Sequence, residues 1–210
     1  MSNTDVDRYA EDGELGGGHC VLMFSGGRDS TLAALRLHEA GLKPTLVTVT
    51  SDHLVGINNV RARLRELKHL LPSDTGWIHV DQPKNLFADK TFYHKTCLPC
   101  QHAYVVVAAK IAKSLGGRSI ALGYASYQGG WPEQTELATA RLKSALNNYG
   151  INLLLPVYDL KSKDDAIHHL KRYGLSDAAL EQKCQQQVHN ITLSQDLLVQ
   201  QIDIWGAAIS

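Results

Sequence analysis

The stretch Cys20-Val-Leu-Met-Phe24, which runs directly into Ser25-Gly-Gly-Arg-Asp-Ser30, decides the fold. Its first five residues are apolar, as expected for a strand buried on both faces of a parallel sheet. Leucines at helical spacing follow from Ser30 to Ala40, and Gly41 ends that segment, which predicts a helix. A strand, a glycine-rich turn and a helix therefore begin the fold.

The alternation of strand and helix continues along the chain. Further strands are predicted at residues 45–50, 77–80, 119–123 and 152–155, and further helices at residues 60–71, 104–115, 136–149, 164–172 and 193–205. This order predicts a doubly wound parallel sheet of five strands with helices on both faces, a Rossmann-like α/β fold. Such sheets bind ligands at the carboxyl ends of their strands, so the loops after the strands are expected to form the site.

Length and composition set the broad class of the protein. The 210 residues suffice for one domain, expected at residues 19–210 with a helical extension at its C-terminal end, after a polar leader at residues 1–18. The 21 Lys and Arg residues balance the 21 Asp and Glu residues, which excludes a uniformly basic surface for nucleic acid. No apolar run approaches the ~20 residues of a membrane span. We therefore expect a cytoplasmic protein.

The loop Ser25-Gly-Gly-Arg-Asp-Ser30 has features of an anion site. Its glycines let the backbone approach a ligand closely, and the N–H groups at the start of a helix attract negative charge. Ser25 and Ser30 add hydroxyl donors, and Asp29 suits either a helix cap or a ligand of a metal ion that accompanies a nucleotide. A turn that only caps the helix is the alternative interpretation.

In this position, Ser-Gly-Gly-x-Asp-Ser resembles the pyrophosphate loop of the PP-loop ATP pyrophosphatases, which have the adenine nucleotide alpha hydrolase-like (HUP) fold. The resemblance implies that ATP is split into AMP and pyrophosphate, that AMP is attached to a substrate oxygen, and that nitrogen or sulfur then displaces it. It also implies that Mg²⁺ accompanies the phosphates. Arg28 is a departure, because Lys or an apolar residue is more usual there.

The same resemblance assigns the nucleotide site. It places the pyrophosphate end on Ser25, Gly26, Gly27, Arg28, Asp29 and Ser30, and adenosine on Thr48, Val49, Thr50 and Gly123. Residues 156–165 resemble the Pro-Leu-x-x-x-Ser-Lys-x-Glu segment of 7-cyano-7-deazaguanine synthases, in which Ser162 would cap a helix and Lys163 would point at the phosphates. Asp29, Ser30 and Lys163 are thus the implied catalytic residues. For Lys163, a solvated helix start is the alternative.

The long loop after the fourth strand, residues 123–135, is rich in Tyr, Trp, Gln and Gly. Aromatic faces and amide groups suit a planar heterocycle, so the loop predicts a substrate pocket. It is similar to the substrate loop of the 7-cyano-7-deazaguanine synthases, with Gly130-Trp-Pro-Glu133 in place of their Gly-Tyr-Pro-Asp-like turn. The expected substrate residues are Tyr124, Tyr127, Gln128, Trp131, Glu133 and Gln134. A surface loop with a packed Trp is the alternative.

Three of the four cysteines have metal-binding character, namely Cys97-Leu-Pro-Cys100 and the later Cys184. They resemble the set that holds an iron–sulfur cluster in PP-loop sulfurtransferases, whereas the synthases place four zinc-binding cysteines near the C-terminus. A fourth ligand, His102 or His189, would complete a tetrahedral zinc site instead. The sequence leaves open zinc, a [4Fe–4S] cluster and three separate thiols.

Two further features lie near these motifs. His53 follows the second strand at the ligand edge, where a nucleotide or substrate contact and a plain loop position are equally compatible with the sequence. The basic run Arg61-Ala-Arg-Leu-Arg65, with Lys68, is expected on the solvated face of a helix rather than against RNA.

Together, these features favour an ATP-dependent enzyme that adenylates a carbonyl or carboxylate of a nucleobase-like small molecule for nitrogen insertion, as in 7-cyano-7-deazaguanine synthases. A metal-cluster-dependent sulfurtransferase acting on tRNA or a small molecule is the main alternative, and a nucleotide-binding module without catalysis is another. The expected partners are a heterocycle or carboxylate substrate and an ammonia or sulfur donor, with tRNA ranked below a small molecule. A homodimer is compatible with the sequence.

Overall fold

A five-stranded parallel sheet forms the centre of the protein in the computed structural model, which describes residues 18–82, 92, 95–186 and 188–209. The strands are β1 (His19–Met23), β2 (Lys43–Thr50), β4 (Trp77–Asp81), β5 (Ser119–Ala121) and β6 (Asn152–Leu154). Their order across the sheet is β4-β2-β1-β5-β6, and all pairs are parallel. The predicted sheet is confirmed, since each predicted strand has a counterpart displaced by no more than about two residues at either end, which is ordinary for strand boundaries.

Six helices cover this sheet within the described part of the chain. They are α1 (Arg28–Glu39), α2 (Ile57–Leu67), α3 (Leu98–Ser114), α4 (Glu136–Asn147), α5 (Lys163–Arg172) and α6 (Gln195–Ala207). Side chains of β1 alternate between two apolar cores. Val21 joins the core formed with α3, α4 and α6, while Cys20 and Leu22 join the core formed with α1, α2 and α5. Helices therefore lie on both faces of the sheet, as predicted.

Helix α3 begins at Leu98, six residues before the predicted start at Tyr104. Pro99 occupies the second helical position, where a missing N–H costs nothing because the first turn has no intrahelical acceptors for it. Cys97 is consequently the residue that precedes the helix, and Cys100 lies in its first turn. The predicted helix start at Tyr104 was therefore wrong, and Cys100 is a helical residue.

A short antiparallel pair, absent from the sequence prediction, crosses the carboxyl edge of the main sheet. It joins β3 (Leu54–Val55) to β7 (Lys183–Cys184), with Leu54 opposite Cys184. The backbone N–H of Gln185 extends the pairing by donating to the carbonyl oxygen of His53 at 2.9 Å. This pair draws residues 180–185, which we call the crossing segment, over the ends of β1 and β2.

Other expectations concern the ends of the chain. The predicted leader lies outside the described residues apart from Gly18. The limits of the single domain stay a prediction, although α6 contributes Ile202 and Trp205 to one of the two cores. Among the residues described, no helix has the length and apolarity that a bilayer crossing requires.

Arg63 of α2 lies in the interior, which corrects the expectation that the whole basic run is solvated. Its side chain is 0% exposed, and Glu66 balances its charge. Its Nε donates to the carbonyl oxygen of Gly26 at 3.3 Å. Its Nη1 and Nη2 donate to the carbonyl oxygens of Ser176 and Ala178, both at 2.9 Å. Arg63 therefore fastens the glycine loop to the chain that leads into the crossing segment.

Replacing Arg63 by Met should lower the free energy of unfolding by about 3 kcal/mol, because three carbonyl oxygens and one carboxylate lose their charged donor. Urea denaturation measures the loss. Arg65→Met is the matched control, since Arg65 is exposed on the same helix and its loss should stay within about 0.5 kcal/mol. Equal losses in the two variants would contradict this role of Arg63.

Candidate nucleotide site and cysteine cluster

A cavity of about 310 Å³ opens at the carboxyl ends of β1, β2 and β5. The predicted site residues that line it are Ser25, Gly27, Arg28, Asp29, Ser30, Thr48, Val49, Gly123, Tyr124, Gln128 and Gln134. The other lining residues are the strand-end residues Met23, Phe24, Val47 and Leu122, and five residues that sequence reasoning missed on other elements, namely Leu54, Gln101, Tyr104, Glu181 and Gln182. The cavity thus combines the glycine loop, the ends of three strands, α3 and the crossing segment.

The glycine loop keeps backbone donors available at the start of α1. The helix follows Gly27, and no side chain caps its first N–H groups. The Ser25 hydroxyl accepts from the N–H of Gly27 at 3.2 Å and lies 3.1 Å from the Ser30 hydroxyl. Two hydroxyls and uncapped N–H groups therefore face the cavity together, which suits an anion better than a turn that serves only as a cap.

Two positions near the cavity require glycine because backbone atoms of other segments lie too close for a Cβ atom. Gly26 has φ +80°, and a Cβ there would lie 2.7 Å from the carbonyl oxygen of Leu180. A Cβ on Gly123 would lie 2.8 Å from the N atom and 2.9 Å from the Cα atom of Ser30. The loop after β5 consequently rests directly against the start of α1, and the crossing segment rests against the glycine loop.

The carboxylate of Asp29 is held by the loop after β5. Both of its oxygens accept from the Tyr127 hydroxyl at 2.9 Å, and one also accepts from the Gln128 amide. Burial raises the pKa of Asp29, and the negative charge of Glu181 acts in the same direction. Tyr127 and Gln128, predicted as substrate residues, therefore orient the predicted catalytic carboxylate.

The end of β2 contributes mainly backbone to the cavity. The Thr48 hydroxyl donates to the carbonyl oxygen of Phe24 at 2.7 Å and accepts from the Trp77 indole at 2.9 Å, so it ties strands together. The Thr50 hydroxyl donates to the Gln182 side chain at 2.8 Å. Neither hydroxyl is available to a nucleotide without breaking one of these bonds.

Six predicted nucleotide or substrate contacts are not among the lining residues of this cavity, namely Gly26, Thr50, Tyr127, Trp131, Glu133 and Lys163. Lys163 is the exposed first residue of α5, and the Ser162 hydroxyl caps that helix by accepting from the N–H of Asp165 at 3.0 Å. This arrangement matches the solvated helix start, and a contact between Lys163 and a phosphate stays a prediction.

Cys97, Cys100 and Cys184, which we call the cysteine cluster, share one environment at the cavity edge. Burial, the charge of Glu133 and the Cys184 thiol raise the pKa of Cys97 to about 11. Burial first, then the two other thiols, raises that of Cys100 to about 12. Tyr104 lines the cavity. Burial is the largest cause that raises the pKa of Tyr104, and the same three thiols raise it further. The cluster and the cavity are therefore neighbours.

Glu133 belongs to the environment of the cysteine cluster rather than to the lining of the cavity, where it was predicted as a substrate residue. It is 2% exposed, and its Oε2 atom has no hydrogen-bond partner within the described protein. Burial raises its pKa to about 7. A buried acceptor oxygen beside three thiols marks a place where a cation, a metal centre or a proton is stabilised.

Among the described histidines, His53 makes a contact with the cysteine cluster, because its Nε2 lies 3.3 Å from the Cys100 sulfur. The two histidines predicted as a fourth metal ligand have other surroundings. His102 stacks on Trp205 with ring centroids 5.8 Å apart, and burial lowers its pKa to about 4, while His189 is exposed. Sequence spacing favoured His102 and His189 because they are close to cysteines along the chain, whereas His53 is 47 residues from Cys100 and reaches it only through tertiary packing.

The types of side chain in the cysteine cluster decide which metal ion or metal cluster would fit it. Within the described ranges, no three His, Cys, Asp or Glu side chains surround a single point where one ion would bind. Three thiols are nevertheless the type of ligand that iron–sulfur clusters use. Cys97, Cys100 and Cys184 therefore fit a cluster by ligand type, and zinc finds no additional support.

Many solved structures are similar to this fold, and two of them are informative. A 4-thiouridine synthetase, in a complex with RNA and bound ATP, matches with a TM-score of 0.61 and 20% identity over 92% of this chain and 53% of its own. The U34-tRNA thiolase NcsA from Methanococcus maripaludis, with its [4Fe–4S] cluster, matches with a TM-score of 0.55 and 14% identity over 88% of this chain and 64% of its own. This chain thus spans 53% of the length of the first protein and 64% of the length of the second.

Both structural neighbours belong to the PP-loop ATP pyrophosphatase family, which agrees with the fold expected from the Ser-Gly-Gly-x-Asp-Ser loop. Neither is a 7-cyano-7-deazaguanine synthase. No family model matches the sequence, and no curated protein matches it.

Replacing Gly123 by Ala should force the loop after β5 away from α1, because the added methyl group meets backbone atoms that cannot rotate aside. We expect about 1–3 kcal/mol of lost stability. We also expect roughly tenfold weaker binding of α,β-methylene ATP, equivalent to about 1.4 kcal/mol. Calorimetric titration and urea denaturation measure the two effects.

Gly76→Ala is the control, since a Cβ at Gly76 meets only a methyl group of Thr45 at 3.8 Å. That variant should bind the nucleotide as the wild type does. If Gly123→Ala bound it equally well, the close approach of Gly123 to Ser30 would have no part in nucleotide binding.

Proposed function

We propose that this chain is an ATP-dependent sulfurtransferase that activates a carbonyl oxygen with AMP and replaces that oxygen by sulfur. One observation carries the proposal: Gln101 and Tyr104 of the helix that contains Cys100, and Gln182, two residues before Cys184, line the same cavity as the glycine loop. The elements that carry the cysteines therefore border the same space as the anion-binding loop.

The first step would be adenylation. The carbonyl oxygen of the substrate attacks the α-phosphorus of ATP, the new O–P bond forms, and the bond to the β-phosphate oxygen breaks. Pyrophosphate leaves with the electron pair, and the N–H groups at the start of α1 with the hydroxyls of Ser25 and Ser30 stabilise its charge. Asp29, held by Tyr127 and Gln128, faces the same space, where it would orient the Mg²⁺ that accompanies ATP.

The second step would exchange oxygen for sulfur. A sulfur nucleophile attacks the activated carbon, the C–S bond forms, and AMP leaves with the former carbonyl oxygen. If Cys97, Cys100 and Cys184 hold a [4Fe–4S] cluster, that group supplies an iron with an open coordination position for inorganic sulfide. Glu133, buried next to these thiols, would position or protonate groups on that side of the cavity.

The comparisons support the sulfur reaction over nitrogen insertion. One neighbour is described as a 4-thiouridine synthetase with RNA and ATP, and the other as a tRNA thiolase with a [4Fe–4S] cluster. We infer a nucleobase-type carbonyl as the substrate, in RNA or in a small molecule. Nitrogen insertion, which the sequence favoured, shares the adenylation step and differs in the second nucleophile.

Replacing Asp29 by Ala should reduce ATP-dependent pyrophosphate release by at least about 100-fold, as for loss of a group that stabilises transition-state charge. A coupled phosphate assay after pyrophosphatase treatment measures the rate. Asp164→Ala, an exposed carboxylate at the start of α5, should retain the wild-type rate. Unchanged release by the Asp29 variant would remove Asp29 from the reaction.

Replacing Cys97 or Cys184 by Ser should lower bound iron in anaerobically purified protein, because each variant removes one of three thiolates. Elemental analysis and the visible absorption spectrum give the readout. Cys20→Ala is the control, since Cys20 lies buried in β1 away from the cluster residues. Full iron content in both serine variants, or stoichiometric zinc in place of iron, would contradict the cluster.

A further inference from the structure

The backbone of β2 alternates between its two neighbours in the sheet. The carbonyl oxygen of Val47 accepts from Phe24 on the β1 side at 2.7 Å. The carbonyl oxygen of Thr50 accepts from Gln82 on the β4 side at 2.6 Å. Since N–H and C=O of one extended residue point to the same side, both groups of Val49 face the β1 side.

Strand β1 has already ended at that level. Its last pair joins Met23 to Val47, two residues before Val49. The peptide groups of Val49 therefore point into the cavity, which Val49 lines, rather than into a strand. A backbone carbonyl at a sheet step of this kind needs a partner from outside the sheet.

Gln182 of the crossing segment supplies that partner. Its Nε2 donates to the carbonyl oxygen of Val49 at 3.0 Å, and its Oε1 accepts from the Thr50 hydroxyl at 2.8 Å. Gln182 also lines the cavity, so this amide stands at the place where a bound base would pair with β2.

The exocyclic 6-amino group of adenine is a hydrogen-bond donor, as is the side-chain amide of Gln182. The adjacent N1 of adenine accepts, so this donor and acceptor together match the C=O and N–H of one extended residue. Guanine presents an oxygen acceptor at the 6-position and would leave the carbonyl oxygen of Val49 opposite another acceptor. If the amino group of adenine replaces the Gln182 amide, the carbonyl oxygen of Val49 still accepts one hydrogen bond. If guanine replaces the amide, that carbonyl oxygen loses its hydrogen bond.

We propose that the Gln182 side chain occupies the position that the adenine base takes in the cavity, so that any bound base must first displace it from the carbonyl oxygen of Val49. This inference rests on the proposed function, because it assumes that ATP binds in the cavity. Gln182 lies two residues before Cys184, so its displacement also reaches the segment that positions the cysteine cluster.

The test compares two ligands in calorimetric titrations: α,β-methylene ATP and the α,β-methylene triphosphate of purine riboside, which lacks the 6-amino group. In the wild type, the analogue should bind about tenfold more weakly, because it cannot replace the amide of Gln182. In Gln182→Ala, α,β-methylene ATP should bind about three- to tenfold more tightly, since no side chain has to be displaced. The analogue should gain by the same factor, because it too must displace Gln182 in the wild type, and it should remain about tenfold weaker than α,β-methylene ATP.

Gln185→Ala is the matched control, an exposed glutamine of the same segment, and should leave both affinities unchanged. Weaker or unchanged binding of α,β-methylene ATP by Gln182→Ala, or a gain for only one of the two ligands, would overturn the inference while the ATP site itself stands. Should the two ligands bind the wild type equally, the inference would fail without any variant. Absence of binding by the wild type would overturn the proposed function and the inference with it.

Discussion

The unequal lengths of β1 and β2 are the constraint on which the site depends. The last residue of β1, Met23, pairs with Val47, yet β2 continues to Thr50. Beyond that step, peptide groups of a buried strand have no neighbouring strand on one side, and buried peptide groups must find partners. The cavity exists because β1 ends early, and the crossing segment is held there because its Gln182 side chain supplies a hydrogen-bond partner.

Close backbone packing keeps the surrounding parts in fixed positions. Gly26 admits the carbonyl oxygen of Leu180, and Gly123 admits the first turn of α1 at Ser30. Arg63 then ties the carbonyl oxygen of Gly26 to the chain before Leu180 through a buried guanidinium. Donors aimed at a departing pyrophosphate stabilise it only if they do not reorganise during the reaction, and this packing provides such rigidity.

The parts of the fold that depend on local pattern were predictable from the sequence. Apolar strand runs and the Ser25–Ser30 loop are short-range signals, so the sheet and one wall of the cavity followed from them. The start of α3 was missed because Pro99 resembles a helix breaker, although a first turn tolerates it. Arg63 was assigned to solvent because its partners lie more than 100 residues away along the chain.

The same limit applies to the remaining site residues. Gln182 and His53 immediately precede the strands of the β3–β7 pair, two strands of two residues each, too short to leave a periodic signal. Lys163 and Trp131 were placed by analogy with a family segment, and neither lines the cavity. Long-range placement of this kind depends on tertiary packing, and a single sequence contains no direct record of it.

Each part of the cysteine cluster is attached to an element that also lines the cavity. Gln101 and Tyr104 follow Cys100 on α3, and Gln182 precedes Cys184 by two residues. A shift of either element would therefore move a cavity wall and a thiol together. In the proposed two-step reaction, this attachment would keep the side from which pyrophosphate leaves at a fixed separation from the side from which sulfur enters. The substrate carbonyl would then need only one position between them to undergo both steps.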